Sequence, residues 1–209
     1  MNPIKLTERI SYFPSVEKPL SSDVIMIQGD SRLYVFDVGN NDEATNYLNS
    51  LDMPKTVFLS HFHSDHTAHL DTTVYDELYV GNLTNKVLHV GTVVTKPLTI
   101  EDGVKLTVVP VSTSHAKGSL LLMVDEDILF TGDATYAVWS DNRTLYNSQL
   151  LKEEISILSA LPAPKYFLSH NGGKLRKKET VLRLLNDIYA KRLKDSPWIA
   201  LTDSGEEDD

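Results

Sequence analysis

Cysteine is absent from the 209 residues. That excludes disulfides and thiolate ligands, so any bound metal must be held by histidines and carboxylates. Long apolar runs are missing as well. No segment approaches the roughly 20 residues of a membrane-spanning helix, and the N-terminal MNPIKLTERI has no signal-peptide core. The expectation is a cytoplasmic protein without a membrane partner. Basic residues are outnumbered, 20 Lys and Arg against 29 Asp and Glu, and no basic stripe marks a dedicated nucleic-acid surface. The short run KLRKK at 174–178 reads as the solvated start of a helix. Of the net charge of −9, Asp203, Glu206, Glu207, Asp208 and Asp209 supply more than half, so the body is only mildly acidic.

What is present is enough for a core: 41% of the residues are hydrophobic. The first 130 residues read as short strands between turns. Asp23–Gln28 and Arg32–Asp37 form a hairpin, and NDEATNYLNSL reads as a helix capped by Asn41 or Asp42. Further strands are expected at Thr56–Ser60, Glu77–Val80, Val87–Val94, Val104–Val111, Ser119–Asp125 and Asp127–Thr131. After Asp133 the period lengthens to that of helices. SQLLKEEISILSAL and RKKETVLRLLNDIYAKRL are helical, with the strand KYFLS between them. Residues 1–195 read as one domain and residues 196–209 as an acidic, flexible tail.

Histidine is the concentrated residue. Four of the seven lie in LSHFHSDHTAHL, Leu59–Leu70. Apolar strands lead into this loop and into three other points. KTVFLS delivers His61, His63, Asp65 and His66; KLTVVPVSTSH delivers His115; DILFTGD delivers Asp133; KYFLSH delivers His170. In an extended segment, residues two apart face the same side, so His61 and His63 serve one ion while Asp65 and His66 turn towards another. Each ion then needs a further nitrogen, and a carboxylate can bridge them. His115, His170 and Asp133 supply that set.

The order His61-x-His63-x-Asp65-His66, His115, Asp133 in TGD and His170 in LSHNGG resembles the metallo-β-lactamase-fold hydrolases. Asp37 in FDVG resembles their first motif, and the likeness runs from about Asp23 to Gly173. It implies an α/β fold, a four-layer αββα sandwich. It also implies metal 1 on His61, His63 and His115, and metal 2 on Asp65, His66 and His170, with Asp133 bridging. The bridging aspartate is similar to glyoxalase II, lactonase and phosphodiesterase relatives. The chain stops about where glyoxalase II continues into a helical domain, which weakens a thioesterase reading.

The implied activity is a metal-dependent hydrolase with Asp65 as a catalytic group. Its two divalent ions, Zn2+ first and Mn2+ or Fe next, would act on an ester, thioester, lactone or phosphodiester. An iron-dependent redox enzyme of the same fold and a non-catalytic metal-binding module are the alternatives. The redox branch has glutamate where this chain has His63. Asp37 is expected to orient a ligand rather than bind metal. His69 follows His66 by three residues: on a short helix it would share that face and sit near the metals, and otherwise it packs or points to solvent. Tyr136, Trp139, Arg143 and Tyr146 in DATYAVWSDNRTLYNSQ, together with Lys117, are candidate contacts to a small anionic substrate. His89 reads as an ordinary strand histidine.

Overall fold

The computed structural model describes residues 2–140 and 142–201. The first elements are β1 (Ile4–Lys5), β2 (Ile10–Phe13), β3 (Val16–Glu17), β4 (Leu20–Ser21), β5 (Val24–Gln28), β6 (Leu33–Phe36), α1 (Asp42–Ser50), β7 (Lys55–Phe58) and α2 (Ser64–Thr67). There follow β8 (Glu77–Val80), α3 (Asn82–Leu88), β9 (Thr92–Val93), β10 (Leu98–Glu101), β11 (Lys105–Val111), β12 (Ser119–Val124) and β13 (Ile128–Gly132). The last are β14 (Val138–Ser140), β15 (Arg143–Asn147), α4 (Ser148–Ala160), β16 (Lys165–Leu168), β17 (Leu175–Lys177), α5 (Lys178–Ala190) and β18 (Trp198–Leu201).

Two large sheets result. One has seven strands in the order β1-β2-β5-β6-β7-β8-β9, and the other has six in the order β10-β11-β12-β13-β16-β17. Their strands are apolar at consecutive positions because both faces are covered. In β5, Ile25 and Ile27 join a core with Tyr34 and Phe36 of β6 and with Leu120, Leu122 and Phe130 of the second sheet. The alternate residues Val24, Met26, Leu33 and Val35 point the other way, towards Ala44 and Leu48 of α1. The second sheet repeats the pattern: Leu121, Met123 and Leu129 meet Leu151 and Leu158 of α4 and Leu185 and Ile188 of α5. The period of two thus sorts each strand between an inner and an outer core, which gives helix, sheet, sheet, helix in four layers.

β6 runs parallel to β7, and β13 runs parallel to β16. Each pair therefore ends on one side, where Asp37, the histidine loop, Asp133 and His170 follow directly. Three expectations change. Residues 82–88 form α3, and His89 closes it in the left-handed region at φ 57° rather than lying in a strand. Val138–Ser140 and Arg143–Asn147 pair as β14 and β15 instead of lying in an open loop. The boundary at 195/196 also moves, since Trp198–Leu201 pair with β15 as β18 and Ile199 is 2% exposed. Of the acidic tail, residues 202–209 lie outside the described residues. No helix among the described residues is long and apolar enough to cross a membrane.

Candidate metal centre

Two groups of side chains converge where the strands end: His61, His63 and His115, and Asp65, His66, Asp133 and His170. In the first, His61 Nε2 lies 2.9 Å from His63 Nδ1, which lies 3.0 Å from His115 Nε2. In the second, His66 Nε2 stands 3.4 Å from Asp65 Oδ2 and His170 Nε2 stands 3.1 Å from it. Asp133 faces both groups: Oδ2 is 3.4 Å from His115 Nε2, and Oδ1 is 3.4 Å from His66 Nε2.

This donor set fits metal. Around an ion with bonds of about 2.0–2.1 Å, tetrahedral donors sit about 3.3–3.4 Å apart. The ring nitrogens of the first group approach that spacing. Buried polar atoms are ordinarily hydrogen-bonded. Yet His66 Nε2 and Asp133 Oδ1 are buried and have no hydrogen-bond partner. A cation between them satisfies both.

The outer nitrogens are fixed from behind. Asp37 Oδ2 accepts from His66 Nδ1 at 2.7 Å, and Asp37 Oδ1 accepts from the Ser60 amide at 2.7 Å. Ser60 Oγ lies 3.0 Å from His61 Nδ1, and the Ala137 carbonyl accepts from His115 Nδ1 at 3.1 Å. These contacts leave the opposite nitrogens bare for an ion. Gly132 makes room for Ser60: a Cβ at this position, already at φ +53°, would lie 2.6 Å from the Ser60 Cβ. His170 takes the left-handed conformation, φ 57°, and its amide donates to Asp23 Oδ2 at 2.9 Å. The other oxygen of Asp23 accepts from the Ser15 amide at 3.1 Å.

The local field favours positive charge. Burial alone would push His66 down, but the Asp37 and Asp133 carboxylates outweigh it and hold His66 up at about 10. Burial would also raise Asp65 and Asp133, yet the facing histidines bring both below the usual carboxylate range. His61, away from those acids, is driven down by burial and by the neighbouring histidines. His170 is also held up, chiefly by its hydrogen bond to Asp65.

A cleft of about 540 Å3 opens onto the centre, lined by His63, Asp65, His115, Asp133 and His170 and by Ser15, Val16, Glu17 and Leu20 of the β3–β4 hairpin. None of the expected substrate contacts lines this cleft. His69 meets Thr45 Oγ1 at 2.8 Å and Asp42 Oδ1 at 3.5 Å on α1, because α2 stops at Thr67 and cannot carry His69 round to the metals. The Tyr136 hydroxyl donates to the Ser169 carbonyl and that of Tyr146 to the Thr135 carbonyl. Arg143 lines a groove with Lys191 and Trp198 beside β18. Trp139 and Lys117 are exposed, and neither lines the cleft. The residues missed from sequence are Asp23, Ser60 and the β3–β4 hairpin. Asp23 accepts from the backbone amides of Ser15 and His170, which leave no mark on residue type.

No protein-family model matches the chain. A stretch of 91 residues is 36% identical to 5′ exonuclease Apollo of Gallus gallus, covering 38% of this chain and 20% of that protein. Among solved structures, a B3 metallo-β-lactamase with an active-site glutamic acid aligns with TM-score 0.68 at 13% identity, over 92% of this chain and 90% of its own. A metallo-β-lactamase superfamily protein from Sulfolobus tokodaii aligns at 0.61 and 18% identity, over 89% and 88%. The chemotaxis sensor ODP, a di-iron protein, aligns at 0.64 and 19% identity, over 89% and 93%. With its two faced sheets, its helical outer layers and a His/Asp cluster at the strand ends, the chain has the metallo-β-lactamase fold.

Proposed function

We propose that this chain is a binuclear metal-dependent hydrolase acting on phosphodiesters. The observation that carries the reading is Asp133, whose two oxygens stand 3.4 Å from a ring nitrogen in each of the two ligand groups. His61, His63 and His115 would hold one ion, and Asp65, His66 and His170 the other. Zn2+ suits so histidine-rich a set, and Mn2+ or Fe suits the carboxylate-containing half. When bound, the ions would activate a water and neutralise charge on the substrate oxygens.

The chain's own residues supply the rest. Asp65, partly exposed to the cleft and 3.1 Å from His170 Nε2, would help hold the second ion and orient an attacking water. Asp37 and Ser60 keep His66 and His61 aimed inwards. Among the described residues no Lys or Arg lines the cleft, so an anionic reacting group must be met by the centre itself. The likeness to a nuclease over 91 residues supports a phosphodiester over a neutral ester.

The test is a panel of bis(p-nitrophenyl) phosphate, a thioester, a lactone and nitrocefin with protein loaded with Zn2+ or Mn2+. Phosphodiester turnover should lead, with about two ions per chain, and Asp133→Ala should abolish it while lowering metal content. Full turnover in Asp133→Ala would sink the reading. The di-iron neighbour favours one second reading, redox chemistry on iron. Iron uptake in preference to zinc, with oxygen consumption and no hydrolysis, is its signature.

A further inference from the structure

A second cavity, of about 490 Å3, is bordered by the chain just beyond two metal ligands. Thr135 and Tyr136 follow Asp133, and Asn171 follows His170. Two residues of chain span at most about 7 Å, so the backbone at Thr135 and Asn171 on this cavity's edge lies close to that of the ligands Asp133 and His170. Its floor is apolar, built from Tyr146, Leu168, Val181 and Leu185. Its polar groups have a definite character. Arg176 and Arg183 face it against a single acid, Asp187. Arg176 Nη2 donates to Asn171 Oδ1 at 2.9 Å, which fixes the guanidinium beside the His170 loop. Thr135 is 5% exposed, and its hydroxyl has no hydrogen-bond partner. A buried hydroxyl without a partner is costly, and such a group commonly marks a ligand position. Tyr136 lines this cavity. Its hydroxyl is committed to the Ser169 carbonyl, and burial beside Asp133 holds the phenol neutral, its pKa pushed up to about 12.

We propose that this cavity is a second subsite of the metal centre, taking a phosphate group that belongs to the part of the substrate remote from the scissile bond. Two guanidinium forks and a buried hydroxyl match the several oxygens of a phosphate, and the apolar floor accepts the group that carries it. The inference rests on the hydrolase reading, and it supplies the cationic contact that the metal cleft lacks.

A matched pair of substrates tests it: thymidine 5′-(p-nitrophenyl phosphate) and the same compound with an added 3′-phosphate, hydrolysed by the metal-loaded full chain. The added phosphate should lower KM about tenfold with kcat little changed, as expected for a contact made equally in ground and transition states. Arg176→Ala/Arg183→Ala should erase that difference and leave the parent substrate unchanged. Both arginines are exposed, so the variant should fold as the wild type does. Equal KM values for the two substrates in wild type overturn the proposal. If neither compound is hydrolysed, the hydrolase reading fails, and titration calorimetry with phenyl phosphate decides the site by itself. Binding lost in the double variant and in Thr135→Val sustains the subsite; binding absent, or unchanged by the variants, ends it.

Discussion

A ligating histidine needs one bare ring nitrogen, and at His66 the choice is made by Asp37. Its carboxylate takes Nδ1 at 2.7 Å and leaves Nε2 facing Asp65 and Asp133. Asp37 also sits at φ 62°, a conformation that asparagine tolerates well. Asp37→Asn should therefore keep the backbone and remove the charge. Metal affinity, measured by competition with a chromophoric chelator, should fall about 10–100-fold, as for other partners of metal-bound histidines. An unchanged affinity would leave Asp37 with a purely architectural role. Residues of this kind separate what was legible in the sequence from what was not. The seven converging side chains were legible because each closes an apolar strand or lies in the loop after one. Asp23 was not, because it holds His170 through a backbone amide 147 positions away. The sequence leaves His69 open between the metals and simple packing, and it packs on α1: a shared helical face needs a helix, and α2 has four residues.

Elements were readable where burial imposed a period. β5, β6, β12 and β13 are apolar on both faces and stand out as short continuous runs. β14, β15 and β18 were not readable, since their pairing joins a loop after the centre to residues at the far end of the chain. β18 closes that small sheet by pairing Ala200 with Leu145 and Ile199 with Tyr146. Removing residues 195–209 should therefore expose the β15 edge and delete Ile199, whose burial alone contributes about 1.5–3 kcal/mol. Removing only residues 202–209 deletes acidic residues and leaves that pairing intact. Thermal melts of the two truncations should differ by several degrees, with the shorter deletion close to the full chain. Equal melting temperatures would mean that β18 contributes nothing to the fold.

At the scale of the whole molecule, the centre joins the two sheets. His61, His63, Asp65 and His66 follow β7 of the seven-stranded sheet, while His115, Asp133 and His170 follow β11, β13 and β16 of the six-stranded one. Each ligand group draws on both, so an ion in either position ties the sheets together across the inner core. Ions that bind the folded chain and not the unfolded one add to its stability by mass action, about 2.7 kcal/mol at a hundredfold excess over Kd. For a chain of this length each kcal/mol moves Tm by about 2–4 °C, so chelation should lower Tm by about 5–10 °C. The same field that holds His66 protonated without metal limits the loss, because a proton partly replaces the missing charge. Asp133→Ala removes a donor that faces both groups, so its melting temperature should respond less to chelator than that of wild type. Hydrogen exchange should locate the change at the ends of β7, β13 and β16 rather than on α1 or α5. A melting temperature indifferent to chelator, in protein shown by elemental analysis to have carried metal, would mean that the ions sit on a scaffold already rigid without them.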